Sequence, residues 1–108
     1  MAAKKSNIMF QDLTVTCGSL KKYNNDTVEM KRVFVCKEYR QKGLATKIIQ
    51  RLEKSATKQG FVYAILETGV EFKPAIALYK SLGYEIINNY AQYEEVSICV
   101  CMKKKLYK

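Results

Sequence analysis

The sequence predicts an α/β domain built around one mixed β-sheet. Strand-forming and helix-forming segments alternate in the middle of the chain, in the order β-β-β-α-β-α-β-β, which is typical of a sheet with helical crossovers. The chain has 108 residues, fewer than the roughly 150 of a common domain, so residues 1–108 are expected to form a single domain. A composition of 48% hydrophobic and 27% charged residues, with 5 glycines and 1 proline, excludes collagen-like, low-complexity and wholly disordered chains.

Three strands are predicted in the first third of the chain. An apolar run at 6–10 and β-forming residues at 14–20 flank a short polar turn and predict a hairpin. A second polar turn separates this hairpin from the clearest strand, at 28–35, which ends in three apolar residues.

Two helices and three further strands are predicted after it. Apolar residues recur at helical spacing from Leu44 to Ala56, basic residues take the opposite side, and Gly60 is placed to end the helix. The apolar run at 62–66 predicts a strand covered on both faces. Pro74 suits the first turn of a second helix that Gly83 ends. Strands at 84–87 and 97–102 complete the predicted sheet.

Charge gives the first indication of a ligand. The net charge is +9 with a pI near 9.4, and residues 31–58 hold nine basic and two acidic side chains, whereas residues 66–101 hold two basic and five acidic ones. Such a basic segment indicates a polyanionic partner or a phosphate-bearing ligand. The chain has no histidine, which excludes histidine-based catalysis and most zinc sites, so no metal is expected.

The cysteines and the chain start indicate a reducing compartment. The four cysteines lack CxxC spacing, and Cys99 and Cys101 alternate with apolar residues on one strand face, as expected of buried, reduced thiols. No apolar run follows the first lysines, as a secretory signal would need, and no run reaches the roughly 18 residues of a membrane span. We therefore expect a cytoplasmic protein without a membrane partner.

The segment between the third strand and the first helix predicts an anion site. Gly43 allows a sharp turn into the helix, so that successive N–H groups and the positive end of the helix dipole face one point. Arg40, Lys42 and Lys47 surround that point, and a pyrophosphate is its natural occupant. The segment is neither a Walker loop nor a Rossmann loop. The alternative is a basic loop with a helix-start glycine.

Two motifs resemble those of the GNAT superfamily of N-acetyltransferases. Residues 40–45, with the sequence RQKGLA, fit the superfamily's coenzyme A signature [RQ]-x-x-G-x-[GA]. Residues 75–84, AIALYKSLGY, match its second signature, A-x-x-L-Y-x-x-x-G-[FY]. The resemblance covers the chain from about Val15 onward and implies an acyl-CoA N-acyltransferase fold. It also implies an enzyme that moves the acetyl group of acetyl-CoA directly to a primary amine of a small molecule or a peptide.

The resemblance also implies which residues bind the cofactor. Backbone groups at the end of the third strand would pair with the pantetheine arm, and the loop with the first helical turn would hold the pyrophosphate. The residues implied are Val33, Phe34, Val35, Arg40, Gln41, Lys42, Gly43, Leu44, Ala45 and Thr46.

Two residues are implied to be catalytic. Glu29 stands where several family members carry a general base, and Tyr79 stands where the family places a tyrosine near the cofactor sulfur. The alternatives are that Glu29 is a strand residue that pairs with Lys31, and that Tyr79 is a core residue. The polar, aromatic loop at 88–95 resembles one that lines the acceptor site in some small family members, and nearby glutamates would favour a cationic amine. The lysines at 103–105 are expected to form a solvated strand end.

The chain also departs from the family pattern. Phe72 stands where the family often has Asn or Gln, and only about ten residues precede the hairpin, where the family usually has a strand and two helices. Sheet and helix surface would then be uncovered, so we expect a homodimer. Two other functions stay open: a coenzyme A-binding but inactive remnant that acts through a partner chain, and a small basic nucleic-acid-binding domain. The last is the weakest because it does not require the Gly43 loop, and no nucleic-acid partner is expected.

Overall fold

The computed structural model describes the backbone of residues 4–10, 13–35 and 43–106, and the side chains of residues 18–31 and 43–106. Its elements follow the predicted order, with six strands, two α-helices and one short 3-10 turn. The strands are β1 (Lys4–Phe10), β2 (Leu13–Lys22), β3 (Thr27–Val35), β4 (Tyr63–Gly69), β5 (Glu85–Ile87) and β6 (Cys99–Lys105); the helices are α1 (Leu44–Lys58) and α2 (Lys73–Ser81), and the 3-10 turn is Ala91–Tyr93.

The six strands form one sheet in the order β1-β2-β3-β4-β6-β5. The β3–β4 pair is parallel and the other four pairs are antiparallel. Helix α1 connects the parallel pair, since antiparallel strands can be joined by a tight turn but parallel strands need a crossover. The predicted mixed α/β sheet is confirmed.

Both helices pack on the same face of the sheet. Helix α1 presents four fully covered apolar residues at helical spacing, and α2 contributes Tyr79 to the same core. Alternate residues of the strands meet them, because side chains along a strand point to opposite faces in turn. The strand and helix residues at the centre of this core are Val28, Met30, Ala64, Leu66, Met102, Ile48, Ile49, Leu52 and Ala56.

The intervening strand residues lie on the opposite face. Glu29 and Ile65 are cross-strand partners on β3 and β4, as are Glu67 and Cys101 on β4 and β6. Neither described helix packs on this face, and the segment between β5 and β6 reaches over it through Tyr90, which contacts Glu29. The two faces therefore differ: one is covered by helices, the other by an aromatic loop.

The last strand corrects one expectation. It extends to Lys105, three residues beyond its predicted end, and its lysines are not simply solvated. The Nζ atom of Lys104 lies 3.1 Å from each carboxylate oxygen of Glu53 on α1. Lys103 Nζ lies 4.2 Å from the centre of the Tyr63 ring. These pairings hold β6 against both the helix and the neighbouring strand.

Glycines end both helices as predicted. Gly60 and Gly83 follow α1 and α2 with φ values of +91° and +101°, a region that side chains with a Cβ rarely adopt. Pro74 lies in the first turn of α2, where the missing N–H group removes no helical hydrogen bond. Within the described ranges, no helix combines the length and apolar composition that a bilayer span requires.

Candidate active site

The two parallel strands separate after the third residue of each. Their ladder contains only three residue pairs and stops at Glu29 and Ile65, although β3 continues to Val35 and β4 to Gly69. Beyond this point each strand keeps its other neighbour, since β3 pairs with β2 and β4 pairs with β6. The facing edges of β3 and β4 therefore enclose a wedge with backbone groups outside any strand ladder. Such an edge can pair with an extended ligand.

A β-bulge marks the start of this wedge. In the β2–β3 pair, Gly18 alone faces the two residues Arg32 and Val33, because the register shifts by one between Ser19↔Lys31 and Cys17↔Phe34. A bulge bends its strand and turns the following residues relative to the sheet. The end of β3 is thereby directed differently from the part that pairs with β4.

Helix α1 follows β3 in the chain and begins after Gly43, which has a left-handed conformation. Its φ is +76°, and a Cβ added there would meet nothing within 4 Å. Among the described residues no side chain caps this end, and the first turn holds no acidic residue. The first N–H groups of a helix have no partner within the helix, and the helix dipole makes them attractive to anions. The geometry is thus suited to a phosphate group.

The sequence-predicted cofactor residues fall into three groups. Gly43 and the following residues 44–46 form the start of α1, as described above. For Val33, Phe34 and Val35 only the backbone is described, and it lies on β3 where the ladder to β4 has ended. Arg40, Gln41 and Lys42 lie outside the described residues.

Glu29 lies in a covered position on the face opposite the helices. Its residue exposure is 7%, yet both carboxylate oxygens have polar neighbours. The Tyr90 hydroxyl donates a hydrogen bond of 2.9 Å to Oε2, and Lys31 Nζ lies 3.6 Å from Oε1. The pairing with Lys31 considered in the sequence analysis is therefore present. The role of Glu29 as a general base stays a prediction.

Tyr90 is the centre of a group of three tyrosines beside Glu29. Its ring meets the edges of Tyr23 and Tyr93 at centroid distances of 5.4 and 5.5 Å. Burial raises the pKa of Tyr90, and the hydrogen bond to Glu29 and the charge of Glu29 raise it further. The phenol accordingly stays protonated and acts as a donor. The sequence placed Tyr90 in a candidate acceptor loop but did not reveal its bond to Glu29, since 61 residues separate them.

Tyr79 is buried in the core on the helix side, with 9% exposure. Its ring meets Tyr84 edge-on at 5.9 Å. Burial raises the pKa of Tyr79, and the charge of Glu67 adds to the rise. The phenol is therefore protonated at neutral pH, as a proton donor must be. The packed ring agrees with the interpretation of Tyr79 as a core residue, and its role as a proton donor to the cofactor stays a prediction.

The two described cysteines are free thiols. Cys101 is buried and Cys99 is partly exposed on the same strand face. Burial raises the pKa of the Cys101 thiol, a backbone hydrogen bond with Tyr90 opposes this rise, and the charges of Glu67 and Glu29 add smaller increases. A protonated thiol is a poor nucleophile, so Cys101 is a packing residue. Among the described side chains, no three Cys, Asp or Glu residues converge on a possible metal site.

Comparison with known proteins defines the class. Residues 13–84, roughly two thirds of the chain, match the family model of the acetyltransferase (GNAT) family. The separated strands and the glycine-started helix lie within this matched range. The chain belongs to the GNAT acetyltransferase family.

Individual relatives extend the match to most of the chain. The uncharacterized N-acetyltransferase YsnE of Bacillus subtilis is 35% identical over 92 residues, which cover 83% of this chain and 61% of YsnE. A protein from Klebsiella pneumoniae, assigned as an acyl-CoA N-acyltransferase, has a crystal structure with a TM-score of 0.91 and 30% identity, covering 97% of this chain and 73% of that one. A GNAT acetyltransferase from Elizabethkingia anophelis has a TM-score of 0.84 at 12% identity, covering 95% of this chain and 76% of that one.

The chain spans only part of its curated relatives. It covers 61% of the length of YsnE and 38% of the length of YjgM from Escherichia coli, with which it shares 38% identity over 64 residues.

Proposed function

We propose that this protein is an acetyl-CoA-dependent N-acetyltransferase that moves the acetyl group directly to a primary amine of a small molecule or a peptide. The observation that carries the proposal is the wedge between β3 and β4, together with the uncapped start of α1 at Gly43 on the connection that follows β3. The wedge can accept an extended chain with amide groups, and the helix start can accept its phosphates. The Elizabethkingia structure holds acetyl-CoA and a related structure from Thermoplasma acidophilum holds coenzyme A, which supports the choice of cofactor.

The cofactor would bind along the edge of β3. The amide groups of its pantetheine arm would pair with backbone groups of Val33, Phe34 and Val35, which lie beyond the ladder to β4. Its pyrophosphate would accept hydrogen bonds from the N–H groups at the start of α1. The residues proposed for this second contact are Arg40, Gln41, Lys42, Gly43, Leu44, Ala45 and Thr46.

The transfer would proceed in one displacement. The acceptor ammonium gives a proton to Glu29, directly or through water, and its nitrogen attacks the thioester carbonyl. The C–N bond forms, the C–S bond breaks, and backbone N–H groups of β3 stabilise the charge that develops on the carbonyl oxygen. The leaving thiolate, whose conjugate acid has a pKa of about 8.5 by analogy with cysteine, takes a proton from Tyr79. The amide nitrogen then loses its second proton to the Tyr79 phenolate, and Glu29 releases its proton to solvent. This route requires neither a metal nor a protein-bound intermediate.

The acceptor would approach from the face that carries Glu29. Glu67 lies on the same face, because it is two residues along β4 from Ile65, the cross-strand partner of Glu29. Two carboxylates and several aromatic rings favour a cationic acceptor over a neutral or anionic one.

A panel of primary amines tests the proposal. Coenzyme A release is followed with a thiol reagent while calorimetry measures acetyl-CoA binding to the full chain. We expect binding and turnover with at least one cationic amine. Binding of acetyl-CoA without turnover of any amine would instead indicate an inactive, coenzyme A-binding member of the family. Tighter binding of nucleic acid than of acetyl-CoA at physiological salt would overturn the proposal.

The cofactor site has a matched pair of glycines for mutagenesis. Gly43→Glu places a side chain and a negative charge at the anion end of α1, and we expect it to abolish acetyl-CoA binding. Gly60→Glu is the control, because Gly60 lies at the other end of the same helix and also has a positive φ. A Cβ added at Gly60 would likewise meet nothing within 4 Å. Equal cofactor affinity in the two variants would contradict the assignment of the anion site.

We further infer that residues 1–108 act as one domain that forms a homodimer. Support comes from three exposed apolar side chains at the carboxyl end of β4, with Val70, Phe72 and Ile98 being 41%, 56% and 62% exposed. Val70 N donates a 2.8 Å hydrogen bond to the Ile98 carbonyl, which places these two residues side by side. Light scattering that shows only a monomer would contradict the dimer. The cytoplasmic location stays a prediction.

A further inference from the structure

The ammonium group of Lys31 lies inside the candidate acceptor region. Its Nζ atom is 3.6 Å from Glu29 Oε1. Burial raises the pKa of the nearby Tyr93 phenol, and Lys31 acts in the opposite direction. The Lys31 side chain is 29% exposed and that of Glu29 is 9% exposed, so the lysine reaches from the surface to a covered carboxylate.

This arrangement is chemically a site for a primary alkylammonium group. A primary ammonium has three N–H donors and no acceptor, and it needs oxygen acceptors around it. Glu29 provides a carboxylate, and Tyr93 provides a phenol oxygen next to the ring of Tyr90. Beyond its Cα, lysine is a four-carbon alkylamine, so the protein already places such a group beside the proposed general base.

The contact of Lys31 with Glu29 is loose enough to be exchanged. A charge-assisted hydrogen bond between an ammonium and a carboxylate is about 2.7–2.9 Å long, and the 3.6 Å separation exceeds this. By contrast, Lys104 approaches both oxygens of Glu53 to 3.1 Å. Lys31 is partly exposed and can be solvated when it leaves, while Tyr90 continues to donate to the covered carboxylate of Glu29.

Tyr90 keeps the carboxylate in place when the lysine leaves. Its hydroxyl bonds Oε2 at 2.9 Å, whereas Lys31 lies near Oε1. The two neighbours use different oxygens, so the departure of Lys31 uncovers Oε1 without releasing Glu29. An incoming amine would then find an oriented carboxylate.

We propose that Glu29, Tyr90 and Tyr93 form a binding site for a primary alkylammonium group, which Lys31 occupies at rest and which the acceptor takes by displacing it. The inference rests on the proposed function in one respect: it assigns the site to the acceptor of that reaction. It narrows the acceptor class to amines with an unbranched alkyl chain next to the nitrogen, as in the lysine side chain itself. Tyr90 is a positioning residue in this site.

Binding of n-butylamine tests the proposal, because this molecule reproduces the lysine side chain. It is titrated into the full chain in the presence of unacetylated coenzyme A, so that no reaction occurs, and binding is followed by calorimetry. We expect Lys31→Met to bind n-butylamine about 5-fold more tightly than the unaltered protein, since the internal competitor is gone. Glu29→Gln should weaken binding at least 5-fold, and n-butanol should bind no better to Lys31→Met than to the unaltered protein.

Lys21→Met is the matched control. Lys21 is the cross-strand partner of Glu29 on β2 and is exposed, so the variant removes the same charge from the same face without vacating the position beside Oε1. We expect n-butylamine affinity within 2-fold of the unaltered protein. An equal gain in both lysine variants would show a general charge effect, and a loss in Lys31→Met would show that Lys31 helps to bind the amine; either result overturns the proposal.

The outcome is separable from that of the proposed function. If n-butylamine binds as expected but no amine is acetylated, the ammonium site stands and the enzymatic proposal fails. If amines are acetylated while Lys31→Met leaves their binding unchanged, the enzymatic proposal stands and the displacement of Lys31 fails.

Discussion

Each face of the sheet carries a trio of one glutamate, one tyrosine and one lysine, but the two trios are arranged differently. On the helix face, Glu53 accepts a 2.7 Å hydrogen bond from Tyr84 and contacts Lys104 at 3.1 Å through both oxygens. On the opposite face, Glu29 accepts a 2.9 Å bond from Tyr90, and its lysine stays 3.6 Å away. In the first trio both carboxylate oxygens of Glu53 have a close polar partner. In the second trio, among the described side chains, Oε1 of Glu29 has only the distant contact with Lys31.

The surroundings of the two trios explain the difference. Glu53, Tyr84 and Lys104 join α1 to the end of α2 and to β6, so their bonds tie helices to the sheet. Glu29 sits where β3 leaves β4, beneath a loop rather than a helix. The Glu53 trio thus stabilises the packing of the helices on the sheet, whereas the Glu29 trio leaves a carboxylate oxygen available to a ligand.

The largest expected effect comes from making the same substitution in both trios. Glu29→Gln retains the shape of the side chain and an acceptor for Tyr90, but an amide cannot take a proton at neutral pH. We expect kcat/KM for the best amine to fall by a factor on the order of 100 or more, with a loss of unfolding free energy no larger than that of Glu53→Gln, because the contact of Lys31 with Glu29 is longer than that of Lys104 with Glu53. Steady-state thiol release and calorimetric unfolding measure the two quantities.

Glu53→Gln is the opposite case. The amide still accepts from Tyr84 but no longer compensates the charge of Lys104, which is mostly covered. We expect the free energy of unfolding to fall by about 1–2 kcal/mol, with kcat/KM nearly unchanged. If the two variants lost activity to the same extent, the functional distinction between the faces would be wrong.

A smaller effect is expected from the paired tyrosines of the core. Tyr79→Phe removes the proposed proton donor, and we expect kcat to fall roughly 10-fold at unchanged acetyl-CoA affinity, because protonation of a thiolate is only modestly demanding. Tyr84→Phe is the control: its ring touches Tyr79, but its hydroxyl bonds Glu53. That variant should lose stability and keep turnover. Equal turnover in Tyr79→Phe and the unaltered protein would leave Tyr79 as a core residue.

Local patterns were sufficient to predict the elements and most of the fold. The spacing of Ile48, Ile49 and Leu52 predicted α1, and Gly60 and Gly83 predicted the helix ends, because each depends on neighbours within a turn. Gly43 likewise predicted the sharp entry to α1. These features need no knowledge of distant residues.

The candidate site was less predictable because it depends on distant pairs. Tyr90 and Glu29 are 61 residues apart, and Lys104 and Glu53 are 51 apart, so no local spacing connects them. The lysines at 103–105 therefore looked like a solvated strand end. The bulge opposite Gly18 was hidden for the same reason, since it is a property of two strands together and not of either one.

The smallest expected effect is on the stability of the protein at alkaline pH, which should depend more on Tyr84 than on Tyr90. Burial raises the pKa of Tyr84, with further contributions from the charge of Glu53 and its hydrogen bond, whereas a tyrosine in an unfolded chain ionises near pH 10. Below pH 10 neither state is ionised and the contribution of Tyr84 to stability is complete. Above pH 10 the unfolded chain releases a proton that the folded protein retains, so the free energy of unfolding falls by up to about 1.4 kcal/mol per pH unit.

Comparing Tyr84→Phe with Tyr90→Phe tests this difference. Denaturant unfolding from pH 7 to pH 11 should give a constant offset between Tyr84→Phe and the unaltered protein up to about pH 9, and then a shallower alkaline decline in the variant. Burial raises the pKa of Tyr90 as well, but Tyr90 lies in a loop. A loop can open and let its tyrosine ionise without global unfolding, so Tyr90→Phe should change the alkaline decline less. Equal changes in both variants would mean that the loop over Glu29 is as firmly held as the helix face, so that the two faces would not differ in local opening.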